Sequence, residues 1–400
     1  MPGPAASGAR PGTAGVTLRI VSLVLFTFLC YLAIGLQLAV LPGYVHGQLG
    51  YGSVVAGLAV SVQYVATVLS RSHAGRMSDT VGPKQTVMTG LADCAASGVL
   101  LLLAYAFERS SWLSLSALLA ARLVLGFGES WVGTGCITWA IGHLGPPHTA
   151  RIISWNGISS YGGMALGAPL GVRLADQWSF GAMGAAVLGL AAAGFGLAAL
   201  RARVPVVEGR RLSFGSVVAR VFPHGMVLAL GTVGFGSLAA FVTLYYAAYQ
   251  WDGAALALSV FGAAFIGVRL VLGGVIGRYG GSRVALACLG VEAAGLLALW
   301  LAPAPGVALL GAALTGCGFS LVFPALGIEA VARVPAGSRG AALAVYSVFL
   351  DLALAVTGPV AGYISTGHGF AAIYFAAACA VALGMGLVVL LRRGWGGGTG

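Results

Sequence analysis

The strongest constraint in this sequence is a recurrence of length: apolar stretches of about twenty residues, enough to cross a hydrocarbon core, follow one another along almost the whole chain. They lie near residues 20–42, 53–74, 86–107, 112–138, 152–174, 179–200, 223–248, 254–277, 284–302, 306–330, 341–364 and 370–391, and most are separated by charge or by Gly and Pro, as at Gly82-Pro83 and Pro146-Pro147. In lipid, a segment must satisfy its own backbone hydrogen bonds, so runs of this length fold as helices. The predicted fold class is an all-α membrane protein with twelve transmembrane helices in two pseudo-symmetric six-helix bundles. Composition agrees, because 59% of the 400 residues are hydrophobic, only 8% are charged and the mean hydropathy is +0.96. A water-soluble chain of this length needs far more Lys, Glu and Asp on its surface. The first run is too long for a signal-peptide core and no small-residue cleavage site follows it, so it is expected to stay as a span.

An even number of spans places both chain ends on one side. Most of the 21 Lys and Arg fall in loops on that side, whereas Arg109 and Arg173 lie on the other. The positive-inside rule then predicts cytoplasmic termini in a bacterial inner membrane. The chain divides into a tail at 1–19, a six-helix bundle at 20–200, a linker at 201–222 rich in arginine (Arg201, Arg203, Arg210, Arg211, Arg220), a second bundle at 223–391 and a tail at 392–400. The two halves echo each other. Arg71 and Arg269 are 198 residues apart, Asp93 and Glu292 are 199 apart, and Ala168-Pro169 matches Gly358-Pro359 at an offset of 190. Parallel repeats around a central path are the architecture of alternating-access carriers. The net charge of +11 does not point to nucleic acid, because the basic residues are scattered singly rather than gathered on one face.

The strongest local signal is Gly75-Arg76-Met77-Ser78-Asp79-Thr80-Val81-Gly82-Pro83-Lys84, between the second and third spans. Gly75 permits close helix approach, Gly82 permits a tight turn, and Asp79 can hold cationic partners across a closed seam. Here the sequence resembles the major facilitator superfamily, whose loop between helices two and three carries the same Gly-x-x-x-Asp-x-x-Gly-x-Lys/Arg pattern, read as a cytoplasmic gate motif. Arg122 to Glu129 is similar to that superfamily's Arg-centred fourth-helix motif. Gly163-x-x-x-Gly167-Ala168-Pro169 is similar to its fifth-helix antiporter motif, with Ala168 where glycine is usual, and Gly35 to Pro42 to a first-helix motif of drug and proton antiporters. In the second half glycine, Gly277, replaces the acid of the gate motif. The resemblance covers the whole chain, is strongest to the arabinose-efflux-permease-like branch, and implies a monomer with helices one, four, seven and ten lining the path.

Ionisable groups at membrane depth cost about 2.5–3.5 kcal/mol each on insertion scales and so mark function or pairing. They are Asp93, Arg122, Glu129, Arg269, Glu292 and Asp351. Arg122 and Glu129, seven residues apart, share a helix face, where they form either a fixed pair or a proton or substrate site. A carboxyl that exchanges water for a cation during the transport cycle can bind and release a proton, so Glu129, Arg122 and Asp351 are the candidate coupling residues. Arg71 with Asp93 and Arg269 with Glu292 are predicted to be pseudo-symmetric structural ion pairs. Candidates for the cavity wall are Tyr31, Gln37, Gln63, Trp131, Trp155, Asn156, Tyr161, Tyr245 and Tyr346, though aromatic residues also anchor helices at the interface.

The six cysteines lie inside apolar stretches without metal-ligand spacing, and the histidines, His224 among them, sit in or beside predicted loops, so no metal site is expected. No HExxH, GxSxG or Walker lysine loop is present, which argues against an enzyme or an ATP-driven pump, and no cofactor is predicted. The reading is an exporter exchanging protons for a drug, sugar or metabolite, with substrate, protons and lipids as partners and no nucleic acid. The alternatives are an uptake symporter or facilitator of the same fold, and a non-transporting receptor or scaffold.

Overall fold

The computed structural model describes residues 13–204, 214–334 and 339–396, and among them every regular element is helical. Long apolar runs give long helices in chain order: α1 Thr13–Leu38, α2 Ser53–Thr80, α3 Pro83–Ala106, α4 Ser111–Leu144, α5 Thr149–Gln177 and α6 Phe180–Ala199. The second half contains α7 Phe214–Ala248, α8 Ala254–Leu272, α9 Gly281–Trp300, α10 Pro305–Ala332, α11 Arg339–His368 and α12 Phe370–Gly396. Eleven helical stretches are long and apolar enough to span a membrane, and α5, 29 residues with Arg151, Asn156, Arg173 and Asp176, is the more polar twelfth.

Two boundaries differ from the sequence reading. α7 begins at Phe214 rather than at residue 223, because the helix continues through Pro223. α12 runs to Gly396, into the stretch assigned to a tail. Arg10, and Arg210 and Arg211 with residues 205–213 of the predicted linker, lie outside the described residues.

Within the first half α1 packs on α5, α2 on α4, and α3 on α4 and α6. The second half repeats this six helices later, with α7 on α11, α8 on α10, and α9 on α10 and α12. The connecting turns repeat as well: Gly82, between α2 and α3, has φ 111° and Gly280, before α9, has φ 82°, a region that glycine enters without a Cβ penalty.

Two seams join the halves, α2 against α11 and α8 against α5. At the first, Gly57 and Gly358 bring the backbones so close that a Cβ on either would overlap the other's carbonyl. Ser53 Oγ donates to Gly362 O at 3.3 Å, and Ser365 Oγ bonds Ser53 Oγ at 2.9 Å. Ser61 Oγ donates to Leu354 O at 2.9 Å and accepts the Gly358 N–H at 3.1 Å. At the second seam Ser259 Oγ donates to Ala165 O at 2.7 Å. Proline has no N–H, so Pro169 leaves this carbonyl without its helical donor, and the serine of the opposite half supplies one. These contacts belong to the beginning of α2 and α8 and the later parts of α11 and α5, so the halves are sealed on the side away from the chain ends.

Candidate functional site

Below the seal, the first half presents a carboxyl on α4. Glu129 is buried, and its Oε1 accepts from the Tyr31 hydroxyl of α1 at 2.8 Å, while its Oε2 accepts from Gln63 Nε2 of α2 at 2.6 Å. Thr67 Oγ1 lies 3.4 Å from the same Oε2 and 3.1 Å from Gly126 O. Helix spacing explains the arrangement, because Gln63 and Thr67 are one turn apart on the face of α2 that meets α4. The approach is made possible by Gly126, where a Cβ would overlap Gln63 O. Gln63 Oε1 is buried with no partner among the described residues.

A cation close enough to act on this carboxyl is Arg71, two turns beyond Gln63 on α2. It does not pair with Asp93. Its Nε donates to Asp351 Oδ2 of α11 at 2.7 Å and its Nη2 to Asp351 Oδ1 at 3.2 Å, a two-point ion pair joining the two halves. Asp351 is 1% exposed and Arg71 19%, so the carboxylate is buried and the guanidinium mostly so. Asp93 instead lies beside the indole of Trp131, within the first half.

The second predicted ion pair is also absent. Arg269 donates from Nε to Ser320 O at 3.2 Å and lies 4.6 Å over the Phe265 ring. Glu292, on α9, is fully buried against α7 and α10, with both carboxyl oxygens unpartnered among the described residues and Gly234 directly beside it. Its counterpart Asp93 has Trp131 for a neighbour. At the offset of 190 the second half has Leu321 at that place, with no polar atom to offer.

Arg122 does not hold Glu129. It is fully buried and donates to Ala59 O at 3.2 Å, Val60 O at 3.2 Å and Gln37 Oε1 at 3.3 Å, bracing α4 against α2 and α1. Gln37 is thereby consumed inside the bundle, its own Nε2 donating to Ala33 O at 3.1 Å. Tyr245 and Tyr346 are likewise core residues rather than cavity wall. The Tyr245 hydroxyl donates to Leu299 O at 2.8 Å and the Tyr346 hydroxyl to Phe323 O at 3.2 Å. Trp155 and Asn156 are half-buried on α5, with Asn156 Oδ1 accepting from Thr27 Oγ1 at 2.8 Å. Tyr161 meets Phe265 with ring centroids 3.9 Å apart.

In the gate motif, Arg76 reaches His73 at 3.1 Å, and Lys84 Nζ donates to Ala199 O and Arg201 O, both at 2.7 Å, closing the end of α6. Gly75 has nothing within 4 Å of a Cβ position, and Asp79 is exposed. His224, placed beside a loop by the sequence reading, is buried in α7. Its Nε2 is 3.6 Å from Glu329 Oε2, and Glu329 also accepts from the Ser282 N–H and hydroxyl at the start of α9, each at 2.5 Å. This cluster was missed because Glu329 falls at the edge of an apolar run, where an acid looks like a loop residue.

Residues 23–326 match the model of the Major Facilitator Superfamily. An MFS-type transporter of Burkholderia mallei is 58% identical over 94% of this chain and 93% of its own length, and one of Pseudomonas aeruginosa is 55% identical over 98% and 96%. Among solved structures, a variant of the nucleoside transporter NupG superposes with a TM-score of 0.75 at 14% identity, covering 93% of this chain and 99% of that one. A D-xylose-proton symporter gives 0.75 at 16% identity, covering 92% and 96%.

Proposed function

The chain belongs to the major facilitator superfamily, as a secondary transporter and not an enzyme, and from that premise we propose that it exports a small organic solute across a bacterial inner membrane in exchange for protons, with Glu129 and Asp351 sharing the cation Arg71. With the chain ends in the cytoplasm, the sealed side faces outward, as it does in the inward-facing phase of an alternating-access cycle.

The observation that carries this reading is the pairing of Arg71 with Asp351 across the seam while Glu129 is held by neutral donors alone. When α2 and α11 separate to open the outer side, Asp351 loses its guanidinium. A carboxylate left without a cation in a poorly hydrated passage takes up a proton, and one that gains a cation gives its proton up. Arg71, freed from Asp351, is two turns from Gln63 on the same helix and holds Glu129 ionised while the outer side is open. On closure Arg71 returns to Asp351, whose proton passes to Glu129 and is released on the inner side, so each cycle carries one proton inward and leaves the Glu129 carboxylate with its Tyr31 and Gln63 donors.

The shell of Glu129 is suited to both of its forms. Ionised, it accepts from Tyr31 and Gln63. Protonated, it needs an acceptor, and a half-turn of the Gln63 amide replaces Nε2 with the unpartnered Oε1. Neutral carboxamides at 129 or 351 remove the exchangeable proton while keeping the shape. A thermal-shift screen of the purified protein against sugars, antibiotics and metabolite zwitterions at two pH values identifies a solute. In proteoliposomes Glu129→Gln or Asp351→Asn then abolishes movement of that solute driven by an imposed pH gradient. Normal coupling in both variants would overturn the assignment, and acidification outside driving solute inward would replace export with uptake.

A further inference from the structure

We infer that Arg269 is the anion-binding group of the passage, so that the solute carried is an organic anion whose oxyacid head, a carboxylate or phosphonate, is received by the guanidinium. The inference rests on the transporter reading and adds the charge class of the cargo.

Arg269 reaches from α8 across the second seam to α5, where its guanidinium lies against Gly157. A Cβ at that position would overlap Nη1. Its Nε is fixed on Ser320 O, the carbonyl that Pro324 leaves without a helical donor, and its face is fixed on the Phe265 ring. The group is held in place by one hydrogen bond and one ring, and among the described residues its other N–H groups have no acceptor and no carboxylate is within ion-pair distance.

Comparison with Arg122 distinguishes this from a structural brace. Arg122 is fully buried and spends its guanidinium on two backbone carbonyls and Gln37, whereas Arg269 is half-buried with most of its donors unspent. Comparison with Arg71 identifies what is missing. Arg71 has Asp351, and the residue related to Asp351 by the offset of 190 is Tyr161, which is close enough to Arg269 for the two groups to interact electrostatically and whose hydroxyl makes no hydrogen bond among the described residues. A cation at membrane depth with a second donor beside it and no counter-charge fits an anionic head that arrives with the cargo. Phe235, Phe261 and Phe319 pack with Phe265 and Tyr161 into a buried aromatic cluster behind the guanidinium, which backs the site on its apolar side.

The test is equilibrium binding to the purified full-length protein, with no proton gradient, so that loss of coupling in the Glu129 variant leaves it intact. Probes of one shape and different charge, namely benzoate, phenylphosphonate, benzamide and benzylamine and their naphthalene equivalents, are compared by thermal shift. The anions are expected to stabilise the protein above their neutral and cationic partners. Arg269→Gln should weaken that binding about 10- to 100-fold, the loss of a charge-assisted contact, and Arg269→Lys should restore part of it. Gly157→Ala, which displaces the guanidinium while keeping its charge, should weaken it too and serves where Arg269→Gln fails to fold. The inference is overturned if no anion stabilises the protein more than its amide, or if the stabilisation survives in Arg269→Gln or in Gly157→Ala.

Discussion

Along the α2/α11 seam, Ser61 bonds the backbone of the opposite helix beside Pro359, and ten residues further on Arg71 crosses to Asp351. Along the α8/α5 seam, Ser259 and Arg269 stand in the same two places, 198 residues later, and Ser259 bonds the carbonyl freed by Pro169. The framework of proline, serine and arginine is duplicated, but the counter-charge is not, because Tyr161 occupies the place of Asp351. One seam is internally neutral and holds itself shut. The other keeps a guanidinium without a carboxylate. Duplication supplies two equivalent hinges, and a single exchange of side chain at one of them separates a latch from a binding group.

The largest effect should come from breaking the neutral seam. Asp351→Ala leaves Arg71 without its carboxylate in a mostly buried position. Removing one partner of a buried pair costs about 3–5 kcal/mol, and the 19% exposure of Arg71 reduces this to about 2–3 kcal/mol. Arg269→Ala strands no acid, only the Ser320 carbonyl, and should cost about 1–2 kcal/mol. Unfolding of both variants in detergent, with the Arg71→Ala single variant and the Arg71→Ala/Asp351→Ala double variant, gives the coupling energy of the pair. A coupling near zero would show that the two seams do not differ in the way the ion pair implies.

The glycine contact between the halves offers a smaller effect. Gly358→Val places its Cβ against the carbonyl of Gly57 and the Ser61 hydroxyl, whereas a Cβ at Gly75 meets nothing within 4 Å. Overpacking of about 1–3 kcal/mol should shift the balance toward states with the far side open. Ser53→Cys, at that end of α2, should then react about tenfold faster with an impermeant maleimide in the Gly358→Val background, and at its original rate with Gly75→Val. Equal rates in the two backgrounds would remove the sealed seam as the barrier.

Much of this was legible from sequence. Helix number and the internal repeat follow from run length and offset, because the bilayer fixes the one and duplication the other. Glu129 was recognisable as a coupling candidate and Tyr31 and Gln63 as candidates for the cavity wall, and the packing of α1, α2 and α4 brings the three together. The partner of Arg71 was not recognisable. Pairing it with Asp93 used closeness in sequence, while the contact it makes is set by the packing of helices 280 residues apart. Gln37, Tyr245 and Tyr346 were misplaced for a related reason. Sequence gives the depth of a residue in a span, but each step turns the side chain about 100° around the helix, and these three turn toward backbone carbonyls of their own half.

The finest test compares the two serines, and the order of effect runs against a count of hydrogen bonds. Ser61 makes two bonds to α11, yet the groups it bridges, Leu354 O and the Gly358 N–H, are each other's i→i−4 partners. When Ser61 is replaced by alanine the helix can close that bond itself, so the loss should stay within about 0.5 kcal/mol. Ser259 makes one short cross-half bond, to Ala165 O, but Pro169 has no N–H to take its place. Ser259→Ala strands a buried carbonyl and should cost about 1–2 kcal/mol. Unfolding midpoints of the two single variants decide the matter: if Ser61→Ala is the more damaging, the prolines do not set the strength of the seams, and the parallel between them rests on position alone.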